Sequence, residues 1–347
     1  MGDAVPPSIF DTQLTSDQTL QRGKRVLITG GAGFIGSNLS RYLLSKKYVV
    51  HVVDNLITGR QENIFSLRPH RDFHFYKMDV VCSGFVRLFK TLPIDHIYHL
   101  ACPTGVPNIK TLGEEMLATS SIGTRNVLEL ARIHNARILY TSSAEVYGNP
   151  LVAPQKEEYC GNVHPLGDRS AYEEGKRFAE SMMKLYVQKY GVSGKIVRIF
   201  NTYGPGMSFT DTRVFPQFIK SVLSGENFRI YGDGSQTRTC LYIDDLVRGL
   251  SLVIQRGKAG EVYNIGGNEM ITIKDLAHLI LEISGKNNVI DYHPHFIEDH
   301  TNRLPFLEKI SALGWKQKIP LRKGLYNMMV ASGVPLAKKD TRVKVAI

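Results

Sequence analysis

From residue 24 onward, short runs of apolar β-formers alternate with stretches whose apolar residues recur every three or four positions. KRVLITG, ending at Gly30, predicts a first strand, and FIGSNLSRYLLSKK, starting at Phe34, the helix after it. VVHVVDN, FHFYKMD, HIYHLAC, ARILYTSS and KIVRIFNTYG predict five more strands, with a long helix from about Ser170 to Tyr190 before the last. Continuous apolar strands separated by helices mean βαβ units, hence a parallel sheet covered on both faces. The expected fold is α/β, a Rossmann-type doubly wound parallel sheet with a smaller C-terminal substrate-binding lobe.

After Gly204 the texture changes. FPQFIKSVLSG predicts a short helix, and FRIYGDGSQTRTCLYIDDL a strand, a Gly-rich turn and a strand. Thr272, with Asp275 three residues on, predicts a helix cap, and Leu276, Leu279, Ile280 and Ile283 then share one helical face. The expected organisation is a tail at 1–22, a nucleotide-binding domain at 23–200 and 236–264, a substrate lobe at 201–235 and 265–330, and a basic tail at 331–347.

Composition narrows the class. With 347 residues, 43% hydrophobic and 22% charged, the chain is neither disordered nor a disulfide-stapled mini-protein. Its net charge of +11 suits anionic ligands without choosing among them. Cys82, Cys102, Cys160 and Cys240 form no CxxC pair, which predicts reduced thiols and a cytoplasmic location. No apolar run reaches 18 residues and the N-terminus has no secretory pattern, so no membrane partner is expected. The eleven histidines show no ligand spacing, so no metal is expected. No aromatic–basic interleaving points to nucleic acid.

The candidate chemistry starts at Gly30, Gly33 and Gly36, between a strand and a helix. Such a turn brings backbone N–H groups and the positive end of a helix to a pyrophosphate. Asp54 ends the next strand, 18 residues after Gly36, where it can accept hydrogen bonds from ribose hydroxyls. This favours NAD over NADP, although Arg60 nearby could meet a 2′-phosphate. Asp79 and Val80 end the third strand, beside the place for an adenine. Tyr172 and Lys176 are four apart on one helical face. An ammonium next to a phenol favours the phenolate, so Tyr172 reads as a proton acceptor helped by Lys176 and by Ser143.

These segments resemble the extended short-chain dehydrogenases/reductases over about residues 24 to 330. Four stretches are most similar to the UDP-glucuronate decarboxylases (UDP-xylose synthases). They are the segment from Gly161 to Ser170, Tyr172 to Arg177, Arg198 to Pro205 and Tyr231 to Arg238. The resemblance implies that NAD removes and returns the C4 hydride of UDP-glucuronic acid, with loss of carbon dioxide from a 4-keto intermediate. It implies Tyr172, Lys176, Ser143, Glu145 and Arg303 as catalytic residues, with Glu145 repelling the sugar carboxylate. It adds Phe34, Ile35, Asn55 and Leu100 to the NAD site. Asn201, Arg213, Tyr231, Gln236, Arg238 and Tyr242 become the UDP-sugar site, and a homodimer is implied. The chain departs from the family pattern at 101–107, at Ser120–Ser121 and at 302–306. A nucleotide-sugar 4-epimerase is the alternative reading, and a non-catalytic NAD-binding scaffold another. A 4,6-dehydratase is disfavoured because Ala144 stands where an acid is needed.

Overall fold

The computed structural model describes residues 23–294 and 303–336. The inner strands of its central sheet are buried on both sides. In β1 (Arg25–Thr29), every residue after Arg25 is buried. Alternation sends Val26 and Ile28 to one face, into a cluster with Leu39 and Leu43 of the helix Phe34–Ser45. It sends Leu27 to the other face, into a cluster with Val127, Leu128 and Met183. That second layer comes from the helices Thr124–His134 and Ser170–Tyr190.

Seven strands pair in parallel. Across the sheet they run Val262–Ile265, β6 (Gly194–Ile199), β5 (Arg137–Ser143), β4 (His96–His99), β1, β2 (Val49–Asp54) and β3 (Phe73–Lys77). The chain moves outward from β1 through β2 to β3, then returns to the other side of β1 as β4. Connections therefore diverge at β1 and β4, opening a crevice at the carboxyl ends where such sheets hold ligands.

The smaller lobe shares a core with the first. Phe218 of the helix Val214–Ser224 stacks on Phe228 with ring centres 4.7 Å apart, and both belong to the cluster that holds Val26. Thr272 caps the helix Ile273–Ser284, its hydroxyl accepting from Asp275 N–H at 3.0 Å. Leu276, Ile280 and Ile283 are buried and Leu279 packs against them. The strands on either side of the Gly-rich turn do not pair with each other. Phe228–Tyr231 runs parallel to Ile290–His293, and Thr237–Thr239 antiparallel to Met270–Thr272. Gly232 and Gly234, at φ +78° and +79°, send the chain away from a hairpin return.

The expected N-terminal tail lies outside the described residues. The expected C-terminal tail starts too early at 331: Val334 is buried in the main cluster and Leu336 packs on it, because the helix Leu321–Ala331 carries the chain back onto the core. Residues 337–347 lie outside the described residues. Among the described residues, no helix is long and apolar enough to cross a membrane.

Three histidines sit inside the sheet. Burial holds His51 and His96 at about 4 and His99, between the hydroxyls of Thr29 and Thr124, at about 3. The unfolded chain protonates them near 6.5, so their contribution is complete above that pH and is lost as the pH falls below it. At pH 5 each costs about 2 kcal/mol, together about 6 kcal/mol. Thermal melts at pH 7.5 and 5.0 should differ by on the order of 10 °C. Equal melting temperatures would mean that the fold accepts the protons.

Candidate active site

A cavity of about 270 Å³ opens at the carboxyl ends of the strands. The glycine turn forms one wall. A Cβ on Gly30, which has φ +72°, would stand 2.8 Å from Ala101 N, and one on Gly36 would stand 2.3 Å from Gly30 O. At Gly33 a Cβ would stand 3.3 Å from Gly30 O, again a tight approach to the backbone of the turn. The first bond of the following helix runs from Ser37 N–H to Gly33 O at 3.1 Å. The N–H groups of Phe34, Ile35 and Gly36 precede it, and no side chain caps them. This donor set suits a pyrophosphate.

Asp54 stands at the end of β2 with both oxygens fixed. Oδ2 accepts from Ala32 N–H at 2.9 Å and Oδ1 from Leu56 N–H at 2.8 Å. Burial raises its carboxyl, against the pull of these two N–H groups. Asn55 Nδ2 donates to Asp79 Oδ2 at 2.7 Å, which joins the ends of β2 and β3. Every residue expected at the nucleotide lines this one cavity: Gly30, Gly33, Phe34, Ile35, Gly36, Asp54, Asn55, Asp79, Val80, Leu100, Tyr172 and Lys176. Arg60 turns instead to Asn63 Oδ1 at 3.2 Å. The residues present fit an adenosine diphosphate whose ribose has free hydroxyls.

Tyr172 and Lys176 come from the helix Ser170–Tyr190, Ser143 from the end of β5. Ser143 Oγ accepts from Glu145 N–H at 3.2 Å and acts on the Tyr172 hydroxyl in the direction of the phenolate. Lys176 Nζ donates to Thr141 O at 2.9 Å and lies 5.8 Å from the Tyr172 ring centre. The expected charge effect on Tyr172 does not hold here. Burial pushes its hydroxyl up, and Cys102 and Glu145 add to this, against Ser143 and Arg213. Lys176 is itself lowered, chiefly by burial. Desolvation outweighs a cation at that distance.

Glu145, in the single turn Ala144–Tyr147 after β5, is gripped by two arginines. Arg303 forks onto both carboxylate oxygens, its Nη2 reaching Oε2 at 2.7 Å. Arg169 Nη2 also donates to Oε2, at 2.6 Å. Burial alone would raise this carboxyl, but the Arg303 and Arg169 guanidiniums override it and hold it at about 2. The repulsion expected of Glu145 is thereby cancelled, since one negative charge sits between two positive ones. Arg303 is brought there by backbone pairing of its neighbours. Gln155 N–H donates to Leu304 O at 2.8 Å, and Phe306 N–H to Gln155 O at 2.9 Å.

The expected sugar-nucleotide residues divide. Asn201 and Arg213 line the cavity. Tyr231, Gln236 and Arg238 do not; Thr237–Thr239 pairs with Met270–Thr272 of the smaller lobe, so this stretch does not join the nucleotide-binding domain as expected, and Gln236 Nε2 donates to Tyr231 O at 2.7 Å. Tyr242 is a core residue instead. It is 4% exposed, and its ring meets that of Tyr203 edge-on at 5.5 Å. The sequence reading missed Arg169, whose one visible signal is Glu173 four residues on, at the start of a helix. It also missed Cys102 as a neighbour of Tyr172 and Lys176; burial keeps Cys102 a thiol.

The model of the NAD dependent epimerase/dehydratase family matches residues 26–266. UDP-glucuronic acid decarboxylase 1 of Danio rerio is 42% identical over 87% of this chain and 71% of its own. UDP-glucuronic acid decarboxylase 6 of Arabidopsis thaliana is 38% identical over 98% of this chain and 95% of its own. Among solved structures, UDP-glucose 4-epimerase of Thermotoga maritima with UDP-glucose has a TM-score of 0.81 at 29% identity, covering 89% of this chain and 98% of that one.

Proposed function

The chain belongs to the NAD-dependent epimerase/dehydratase family, and we propose that it converts UDP-glucuronic acid to UDP-xylose with NAD as cofactor. The observation that carries this reading is the cluster of Glu145, Arg303 and Arg169 in the same cavity as Tyr172. A sugar with a neutral C6 has no use for it, whereas a uronic acid brings a carboxylate there.

In this reading Tyr172 accepts the proton of the C4 hydroxyl, and Ser143 holds the same oxygen. Lys176, fixed on Thr141 O, binds the nicotinamide ribose. When bound, NAD supplies the hydride acceptor for C4 and a positive charge that favours the Tyr172 phenolate. With C4 a ketone, the C6 carboxylate is β to it and leaves as carbon dioxide, its electron pair passing into the C4 enolate; a proton at C5 and return of the hydride to C4 then give UDP-xylose. Arg303 receives the uronate end, but its fork is already on Glu145. The substrate carboxylate must thus share the two guanidiniums with Glu145, is held less tightly than they alone would hold it, and so loses its charge more readily. Asn201 and Arg213, which line the cavity, meet the nucleotide diphosphate, with Tyr231, Gln236 and Arg238 of the smaller lobe as its further partners.

A homodimer is supported by Leu117, Ile122, Phe178 and Leu185, which are exposed on neighbouring helices of one face. The free cysteines support a reducing, cytoplasmic compartment.

Incubation with UDP-glucuronic acid, read by mass spectrometry, tests the reading. The expected product is lighter by one carbon dioxide, with no net NADH. Unchanged mass with inversion at C4 would establish an epimerase instead. For the cofactor, Asp54→Ala is expected to weaken NAD about tenfold to a hundredfold and to narrow its preference over NADP, because charged bonds to the ribose are lost. Fluorescence titration with both cofactors measures this, and an unchanged ratio would remove Asp54 from cofactor choice.

A further inference from the structure

Glu145 is anchored to two distant parts of the chain. Arg303 approaches from residues whose backbone pairs with Gln155. Arg169 approaches from the residue that immediately precedes the helix carrying Tyr172. Building on the decarboxylase reading, we propose that Arg169 is a positioning residue, tying the Glu145 carboxylate to the helix that carries the proton acceptor.

The geometry makes Arg169 a clamp. Its Nη2 donates to Glu145 Oε2 at 2.6 Å and its Nε to Glu173 Oε1 at 3.3 Å. Glu173 follows Tyr172 directly and is 4% exposed, so this end of the clamp is fixed within the fold. At its other end, Glu145 leaves a turn of four residues, too short to set a carboxylate by itself. Arg303 alone would let Glu145 move with residues 303–306. Arg169 also places a positive charge beside the carboxylate that works against the Tyr172 phenolate. Burial opposes the Arg169 charge, yet Glu145 and Glu173 keep it more firmly cationic than usual.

Arg169→Gln is expected to lower kcat about a hundredfold, as a misplaced active-site group does. KM for UDP-glucuronic acid should stay within about threefold, because the Arg303 fork is untouched. The rising limb of kcat/KM with pH should move up by about one unit, since Glu145 loses one of its counter-charges. Arg169→Lys should return the limb to its original pH while restoring only part of kcat; an ammonium cannot hold two carboxylates as a planar fork does. In a Glu145→Gln background, Arg169→Gln should add less than about threefold.

Additive losses, or an unmoved limb in Arg169→Gln, overturn the proposal. If Arg169→Gln does not fold, the Lys variant decides: wild-type kcat would overturn the clamp. Crystal structures separate this inference from the reading beneath it. An unmodified enzyme that releases no carbon dioxide defeats the decarboxylase reading, whereas Glu145 left in place in Arg169→Gln crystals defeats the clamp whatever the reaction.

Discussion

Replacing Tyr172 with phenylalanine is expected to lower turnover of UDP-glucuronic acid by about a thousandfold while NAD stays bound. The proton acceptor is lost, but Lys176 keeps its bond to Thr141 O and the glycine turn is untouched. Neither NADH nor a 4-keto product should accumulate, because the first step fails. The pH dependence is the sharper part. Burial pushes the Tyr172 hydroxyl above its ordinary value near 10, so the phenolate fraction at neutral pH is small. As the phenolate is the reactive form, kcat/KM of the unmodified enzyme should climb with pH, up to tenfold per unit, until the group is ionised in the reacting complex. The Phe variant should show a flat profile at its residual rate. A Phe variant within tenfold of the parent, with the same climb, would assign the proton to another group.

The nucleotide half of the site was legible because its chemistry is local. Gly30, Gly33 and Gly36 act through backbone geometry within seven residues, and Asp54 ends the strand that the apolar run VVHVV defines. Strands β1, β2, β4 and β5 were readable for a related reason: a strand buried on both faces has no polar alternation to blur it. The sugar half depends on pairings that cross the chain. Arg303 reaches Glu145 across 158 positions, carried there by Gln155, and no local pattern announces that bridge. Arg169 was missed because an arginine before a helix looks like any solvated cation until its carboxylate partners are known. Tyr242 failed in the other direction. It was assigned by motif position, and the packing of Tyr203 and the helix Leu321–Ala331 puts it in the core. The effect of Lys176 on Tyr172 failed through magnitude rather than placement. A cation 5.8 Å from the ring centre loses to the cost of ionising a buried phenol.

The charge arrangement around Glu145 leads to the last expected result. Glu145→Gln should lower kcat by about a hundredfold to a thousandfold and lower KM for UDP-glucuronic acid as well. With the carboxylate gone, the Arg303 fork and the Arg169 guanidinium are left without their shared partner, and both are mostly buried. An unpaired Arg303 guanidinium, beside an Arg169 left with Glu173 alone, is costly in such a place, so the C6 carboxylate of the substrate becomes the replacement partner. Substrate binds more tightly for that reason, and decarboxylation is slower for the same one. The carboxylate must give up its negative charge as carbon dioxide leaves, and two arginines that neutralise it stabilise the ground state more than the transition state. Oxidation at C4 does not require that charge to move. A 4-keto acid and NADH should therefore accumulate in the variant, visible as absorbance at the nicotinamide band and as an oxidised product of unchanged carbon number. The melting temperature in the absence of substrate should fall and recover when UDP-glucuronic acid is added, by the linkage of binding to stability. A variant with raised KM and unchanged kcat would mean that Glu145 binds the sugar rather than occupying the arginines.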